Sequence, residues 1–119
     1  MTTLKLRILF ADAMLGPGKA DLLERIARTG SISAAGREMG MSYKRAWTLV
    51  EEMNAAFREP LVASTRGGPG GGGAALTEAG GRVLALYHQV VVRAAEAVAE
   101  PVAELEAMLR GPEERDISA

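Results

Sequence analysis

A mainly α-helical fold with one small β-hairpin is what this 119-residue sequence predicts, and three observations predict it. Apolar residues recur at helical spacing over most of the chain and make up 48% of it, enough for a packed core. The stretch "SISAAGREMGMSYKRAWTLVEEM", Ser31 to Met53, reads as two short helices joined at a glycine. Two β-favouring segments, "LVAST" and "AALT", flank the glycine-rich "RGGPGGGG" and precede a long apolar-patterned segment.

The elements follow in order. "LKLRILF" alternates, so Leu4, Leu6, Ile8 and Phe10 share one side of a predicted strand, with Lys5 and Arg7 opposite. "MLGPG" is a turn signal. "KADLLERIARTG" is a helix with Leu22, Leu23, Ile26 and Ala27 as its apolar stripe, stopped by Gly30. Ser31 caps a short helix that ends near Met39. Gly40 makes the turn, Ser42 caps again, and the next helix runs to about Phe57. Pro60 closes that region. The two wing strands come next, and Thr77, helped by Glu78 in the first turn, caps a long helix. That helix reaches about Glu100, where Pro101 breaks or kinks it. A further turn or three run to Arg110, and 111–119 is a frayed tail. The predicted architecture is a winged helix-turn-helix over 1–76, then a long helix over 77–110.

Gly36 is the small residue that lets the paired helices approach closely, and Ala35, Met39, Met41, Ala46 and Leu49 lock them. At about 100° per residue, Val50, Met53 and Phe57 lie within about 40° of Ala46, and Leu49 within about 60°. Lys44, Thr48, Glu51 and Glu52 cluster on the opposite side with Arg45 at its margin, while Tyr43 and Trp47 sit on the flank. A major groove admits such a helix N-terminus first, so Ser42, Tyr43, Lys44, Arg45 and Thr48 are the natural contacts. Ser31 and Ser33, at a helix start with free N–H groups, suit a phosphate. Trp47 borders the core and is read as a packing residue.

Three readings of the glycine-rich stretch compete. A phosphate-cradling P-loop requires Gly-Lys-Ser/Thr opening a helix, which is missing. A flexible linker does not explain the β-favouring flanks. A wing beside the second helix is preferred, because glycine permits close approach to phosphate and Arg66 supplies charge at its base.

The apolar seam of the long helix comprises Val83, Leu84, Tyr87, Val90, Val91, Ala94 and Val98, continued by Val102, Leu105 and Met108. Residues 78–99 would span roughly 33 Å, more than a compact winged domain can cover. The excess is best buried against a second copy, so Leu84, Tyr87, Val91, Ala94, Val98 and Leu105 are assigned to a homodimer interface.

Charge and composition narrow the function. The net charge is −1, but residues 1–75 carry ten Lys/Arg against seven Asp/Glu, and residues 76–119 carry four against eight. The basic part coincides with the helix pair, as a nucleic-acid face requires. The chain has no cysteine, hence no disulfide or thiolate metal site. That composition suits a reducing compartment, and a cytoplasmic location is expected. Lys5 and Arg7 interrupt the N-terminal apolar run, so no signal peptide is read, and no apolar stretch is long enough to span a membrane. Catalysis is not expected. His88 is the single histidine, no convincing carboxylate pair exists, and no metal ligand set is assigned.

"GSISAAGREMGMSYKRAWTLVEEMN" followed by "TRGGPGGGGAALTEAGGRVLALY" resembles the N-terminal domain of ModE-type molybdate-responsive transcription regulators, and more distantly the winged helix of LysR-type regulators. The resemblance covers about residues 4–110. It implies a winged helix that dimerises through its long fourth helix and binds double-stranded DNA. The implied contacts are Ser33, Ser42, Tyr43, Lys44, Arg45, Thr48 and the wing around Arg66, Gly67 and Gly68. It also implies control of molybdenum transport or cofactor genes. Members of that family sense molybdate through C-terminal domains that nothing here matches, so no cofactor is expected in this chain. The alternative is a winged helix used purely as a protein-interaction module.

Overall fold

The computed structural model describes residues 2–65 and 73–111. Its elements are β1 (Ile8–Leu9), β2 (Met14–Leu15), α1 (Pro17–Thr29), α2 (Ile32–Glu38), α3 (Tyr43–Ala56), β3 (Val62–Thr65), β4 (Gly73–Leu76), α4 (Glu78–Ala97) and α5 (Ala99–Met108). This is the helical fold with a small β wing that the sequence predicts. The molecule is elongated, 57 × 29 × 24 Å, because α4 and α5 extend beyond the winged unit.

The N-terminal strand is shorter than expected. Only Ile8 and Leu9 find a ladder partner, pairing antiparallel with Leu15 and Met14. Met14–Leu15 is thus a strand where a turn was expected. An extended segment becomes a strand only where a neighbour completes its hydrogen bonds. The alternation survives nonetheless: Leu4, Leu6 and Ile8 are half-buried while Lys5 and Arg7 are exposed. Phe10 departs from it, being largely exposed and meeting Phe57 edge-on at 6.4 Å.

Pro17 opens α1 at a position where its missing N–H costs nothing, and Gly30 closes it in the left-handed region at φ 73°, its N–H donating to the Ile26 carbonyl. Leu22, Leu23 and Ile26 are fully buried. Ala20, not the exposed Ala27, completes their stripe.

The helix pair closes as the glycines require. A Cβ on Gly36 would lie 2.8 Å from the Ala46 Cβ, so the crossing of α2 and α3 admits no side chain there. Gly40 takes φ 73° in the turn, and the Met41 N–H returns to the Gly36 carbonyl at 3.0 Å. Ala35, Ala46, Leu49, Val50 and Met53 join Leu22, Leu23 and Ile26 in one core, roofed by Val62 and Ala74 from the wing strands and by Leu61 just before them.

The wing pairs Val62 with Leu76 through to Thr65 with Gly73. Its base is clamped twice. Asn54 on α3 accepts from the Leu61 and Val62 N–H groups at 2.8 and 3.1 Å and donates to the Val62 carbonyl at 3.1 Å. The Ala74 N–H donates to the Gly30 carbonyl at 2.9 Å.

Thr77 caps α4 by accepting from the Gly80 N–H at 3.0 Å, while its own hydroxyl donates to the Pro60 carbonyl at 2.6 Å. A Cβ on Gly80 would sit 2.1 Å from the Leu61 carbonyl oxygen, which fixes how closely α4 crosses the wing. The long helix breaks at Val98 (φ −104°, ψ 7°), one turn before the expected site. Pro101 lacks the N–H that would reach the Ala97 carbonyl, and its ring collides with that carbonyl in an unbroken helix. The chain therefore leaves helical geometry first and accommodates Pro101 in the first turn of α5.

One expected interface residue belongs elsewhere. Tyr87 is only 5% exposed and packs with Leu15 and Ala20 inside the protomer. Its hydroxyl donates to the Leu6 carbonyl at 2.6 Å, pinning the N-terminal segment to α4. Its area is already buried, so it is not available to a second copy. Burial alone raises the Tyr87 phenol above its ordinary pKa. Leu84, Val91, Ala94 and Val98 are half-buried, and Leu105 is 63% exposed.

Candidate nucleic-acid interface

The outer side of α3 is built by the same residues that anchor its inner side. Ala46, Leu49, Val50 and Met53 are buried, which turns Lys44, Thr48 and Glu51 toward solvent. Ser42 starts the helix by accepting from the Arg45 N–H at 3.1 Å. Its side chain is thus a cap first, and what it can offer a groove is the hydroxyl proton. Thr48 donates to the Lys44 carbonyl at 2.9 Å, leaving its oxygen as an acceptor. Lys44 and Arg45 are exposed and form no ion pair among the described residues. Two acids share or border this face: Glu52 is engaged by Lys19 at 3.4 Å, while Glu51, two turns after Lys44, is exposed and in no ion pair among the described residues.

Two flanks border the face. Asn54, which holds the wing, lies on the same side of α3 as Tyr43 and Trp47. On the other side Arg45 lines a cleft with Arg7, Lys19, Met39 and Met41. Arg7 is a cation that the sequence alone does not connect to α3; it reaches this cleft because β1 pairs back onto β2 just before α1.

Ser31 and Ser33 stand apart from α3, at the start of α2. Ser31 accepts from the Ala34 N–H at 3.0 Å, and Ser33 accepts from Arg37 at 3.3 Å. Both are half-buried, and both hydroxyl oxygens are already used within the protein. Trp47 is more open than a packing residue should be, at 42% exposed, and Tyr43 is 57% exposed. Arg66, Gly67 and Gly68, the expected wing contacts, lie outside the described residues.

The helix pair is braced from behind. Arg25 donates to Asp21 at 2.9 Å and to Glu38 at 3.0 Å, and Arg28 also bonds Glu38. The hydrogen bond from Arg28 is the largest influence on the Glu38 carboxyl and, with the weaker help of Arg25, holds it below its ordinary range against the opposing effect of burial. Hydrogen bonds to Asp21 and then Glu38 raise Arg25 above its usual value. Glu38 ends α2, so this cluster fixes the end of α2 against α1. Among the described residues there is no group of acidic or histidine side chains placed to hold a metal ion. Nor is any described helix long and apolar enough to cross a membrane.

Comparison with known proteins agrees with this architecture. Residues 19–81, which run from α1 through the wing into α4, match the family described as bacterial regulatory helix-turn-helix protein, lysR family. Over 88 residues, 73% of this chain, it is 47% identical to the DNA-binding transcriptional dual regulator ModE of Escherichia coli K12. It is 49% identical over 78 residues to the molybdenum-pterin-binding protein MopB of Rhodobacter capsulatus, covering 66% of this chain. It is 44% identical over 71 residues to the molybdenum transport protein ModE of Azotobacter vinelandii, covering 60% of this chain. The aligned regions span 32%, 29% and 26% of those relatives' own lengths. The chain belongs to the lysR family of bacterial regulatory helix-turn-helix proteins.

Proposed function

We propose that this chain is a dimeric, sequence-specific DNA-binding regulator of genes for molybdenum transport or cofactor use, acting in the cytoplasm. The observation that carries the reading is α3 itself, with Lys44, Arg45 and Thr48 open on one side and Leu49, Val50 and Met53 locked into the core on the other. Lys44 and Arg45 supply charge for phosphate or for guanine O6 and N7. The wing, clamped by Asn54, supports the flank of α3. The relatives named for ModE and for molybdenum support the choice of target genes.

The homodimer rests on the apolar residues of the long helices. Val90, Val92, Leu105 and Met108 are exposed, and Leu84, Val91, Ala94 and Val98 are half-buried. We assign no oxyanion site to the chain and expect its DNA binding to be independent of molybdate.

Selection of bound fragments from the source genome, with and without molybdate, tests the whole reading. The expected result is enrichment of paired half-sites about one helical turn, ~34 Å, apart. Those sites should lie upstream of molybdenum-related genes, and the enrichment should be indifferent to molybdate. Failure to enrich any duplex would favour the protein-interaction alternative.

A further inference from the structure

The chain has five aromatic residues, and the structure accounts for three of them. Tyr87 is buried against α1 and β2, and Phe10 and Phe57 meet each other edge-on. The other two, Tyr43 and Trp47, stand four residues apart on α3, both exposed, with no aromatic partner among the described residues. Residues four apart on a helix are neighbours on its surface. They lie about 60° and 100° round from the buried Ala46, while Lys44 and Thr48 point outward beyond them. The exposed surface of α3 is therefore asymmetric, with Lys44 and Thr48 along the middle, Arg45 on one side and an aromatic pair on the other.

Water is a poor solvent for such a pair, and the outer side of α3 is where a duplex would seat. The thymine 5-methyl group is the apolar feature that the major groove presents to a protein, and apolar side chains recognise thymine through it. We propose that Tyr43 and Trp47 form a thymine-reading surface, covering 5-methyl groups on the wing side of the groove while Lys44 and Arg45 take phosphate or guanine. This inference rests on the DNA-binding reading and adds a base preference to it. Trp47 is then a specificity residue rather than a packing one. The two side chains lie about 6 Å apart along the helix axis, which permits contacts with neighbouring or next-but-one base pairs.

The test replaces thymine by deoxyuracil, one position at a time, in a duplex selected by the wild-type protein, and measures affinity by fluorescence anisotropy. Deoxyuracil removes only the methyl group and keeps every hydrogen-bonding atom. Wild type is expected to lose about fourfold in affinity at one or two positions per half-site, the worth of one buried methyl. Trp47→Gln should bind the thymine duplex more weakly and lose its sensitivity to deoxyuracil at the position nearest Trp47. Tyr43→Ser should lose it at the other. Wild-type affinity unchanged at every substituted position would overturn the inference while leaving DNA binding intact, and this arm needs no variant to fold. Full deoxyuracil sensitivity in both variants would also overturn it. Absence of any salt-dependent duplex binding by wild type would remove the DNA-binding reading itself.

Discussion

Leu49 and Lys44 sit about a turn and a half apart on α3 and do opposite work. Leu49 is buried between the paired helices, and Lys44 faces solvent. Truncating Leu49 to alanine should cost about 2–5 kcal/mol, because it opens a cavity that close-packed neighbours fill only in part. Chemical denaturation would measure this, and a loss below about 1 kcal/mol would mean the crossing is not packed as described. Most of α3's individual roles are legible without coordinates, since helical period alone separates Leu49, Val50 and Met53 from Lys44 and Thr48. Trp47 and Tyr87 are not. Trp47 lies at an angle bordering the core, where helical period alone does not decide between a packed and an open side chain, and it is open. Tyr87 lies on the apolar seam of α4, but its hydroxyl partner, the Leu6 carbonyl, is 81 residues away in sequence.

At the level of elements, legibility follows whether the signal is local. The caps at Ser31, Ser42 and Thr77 and the turn at Gly40 are local hydrogen-bonding and dihedral preferences, and all four stand where the sequence puts them. The β1–β2 pair is not local in this sense, because two-residue strands carry no periodicity and exist only through their partner. Asn54 was invisible for a similar reason: an asparagine late in a helix signals nothing until the chain after Pro60 returns to it. The brace between α1 and α2 yields a pH prediction. Glu38 has a depressed pKa when folded, so its contribution to stability is present above the unfolded carboxyl value and fades as pH falls through the folded one. Glu38→Gln should therefore lower Tm slightly near neutrality and flatten the acid side of the Tm profile. A variant whose acid profile matches wild type would show that the brace contributes nothing. Arg28 and Glu38 are exposed and Arg25 and Asp21 only half-buried, which keeps the expected effect small.

For the molecule as a whole, the fold sets a basic winged unit at one end of a 57 Å body and acidic helices toward the other. Glu96, Glu100, Glu104 and Glu106 are exposed along α4 and α5, so an anionic duplex is repelled from that end and directed to the face holding Lys44 and Arg45. Net charge alone, at −1, hides this division. The central claim is that α3 meets DNA through its cationic side. The most direct measurement is the affinity for a selected duplex as a function of salt, for wild type and for the folded Lys44→Ala plus Arg45→Ala double variant. Wild type should show a steep inverse dependence of log affinity on log salt, and the double variant a weaker affinity with a slope shallower by up to about two. Equal affinity and equal slope for the two proteins would contradict it.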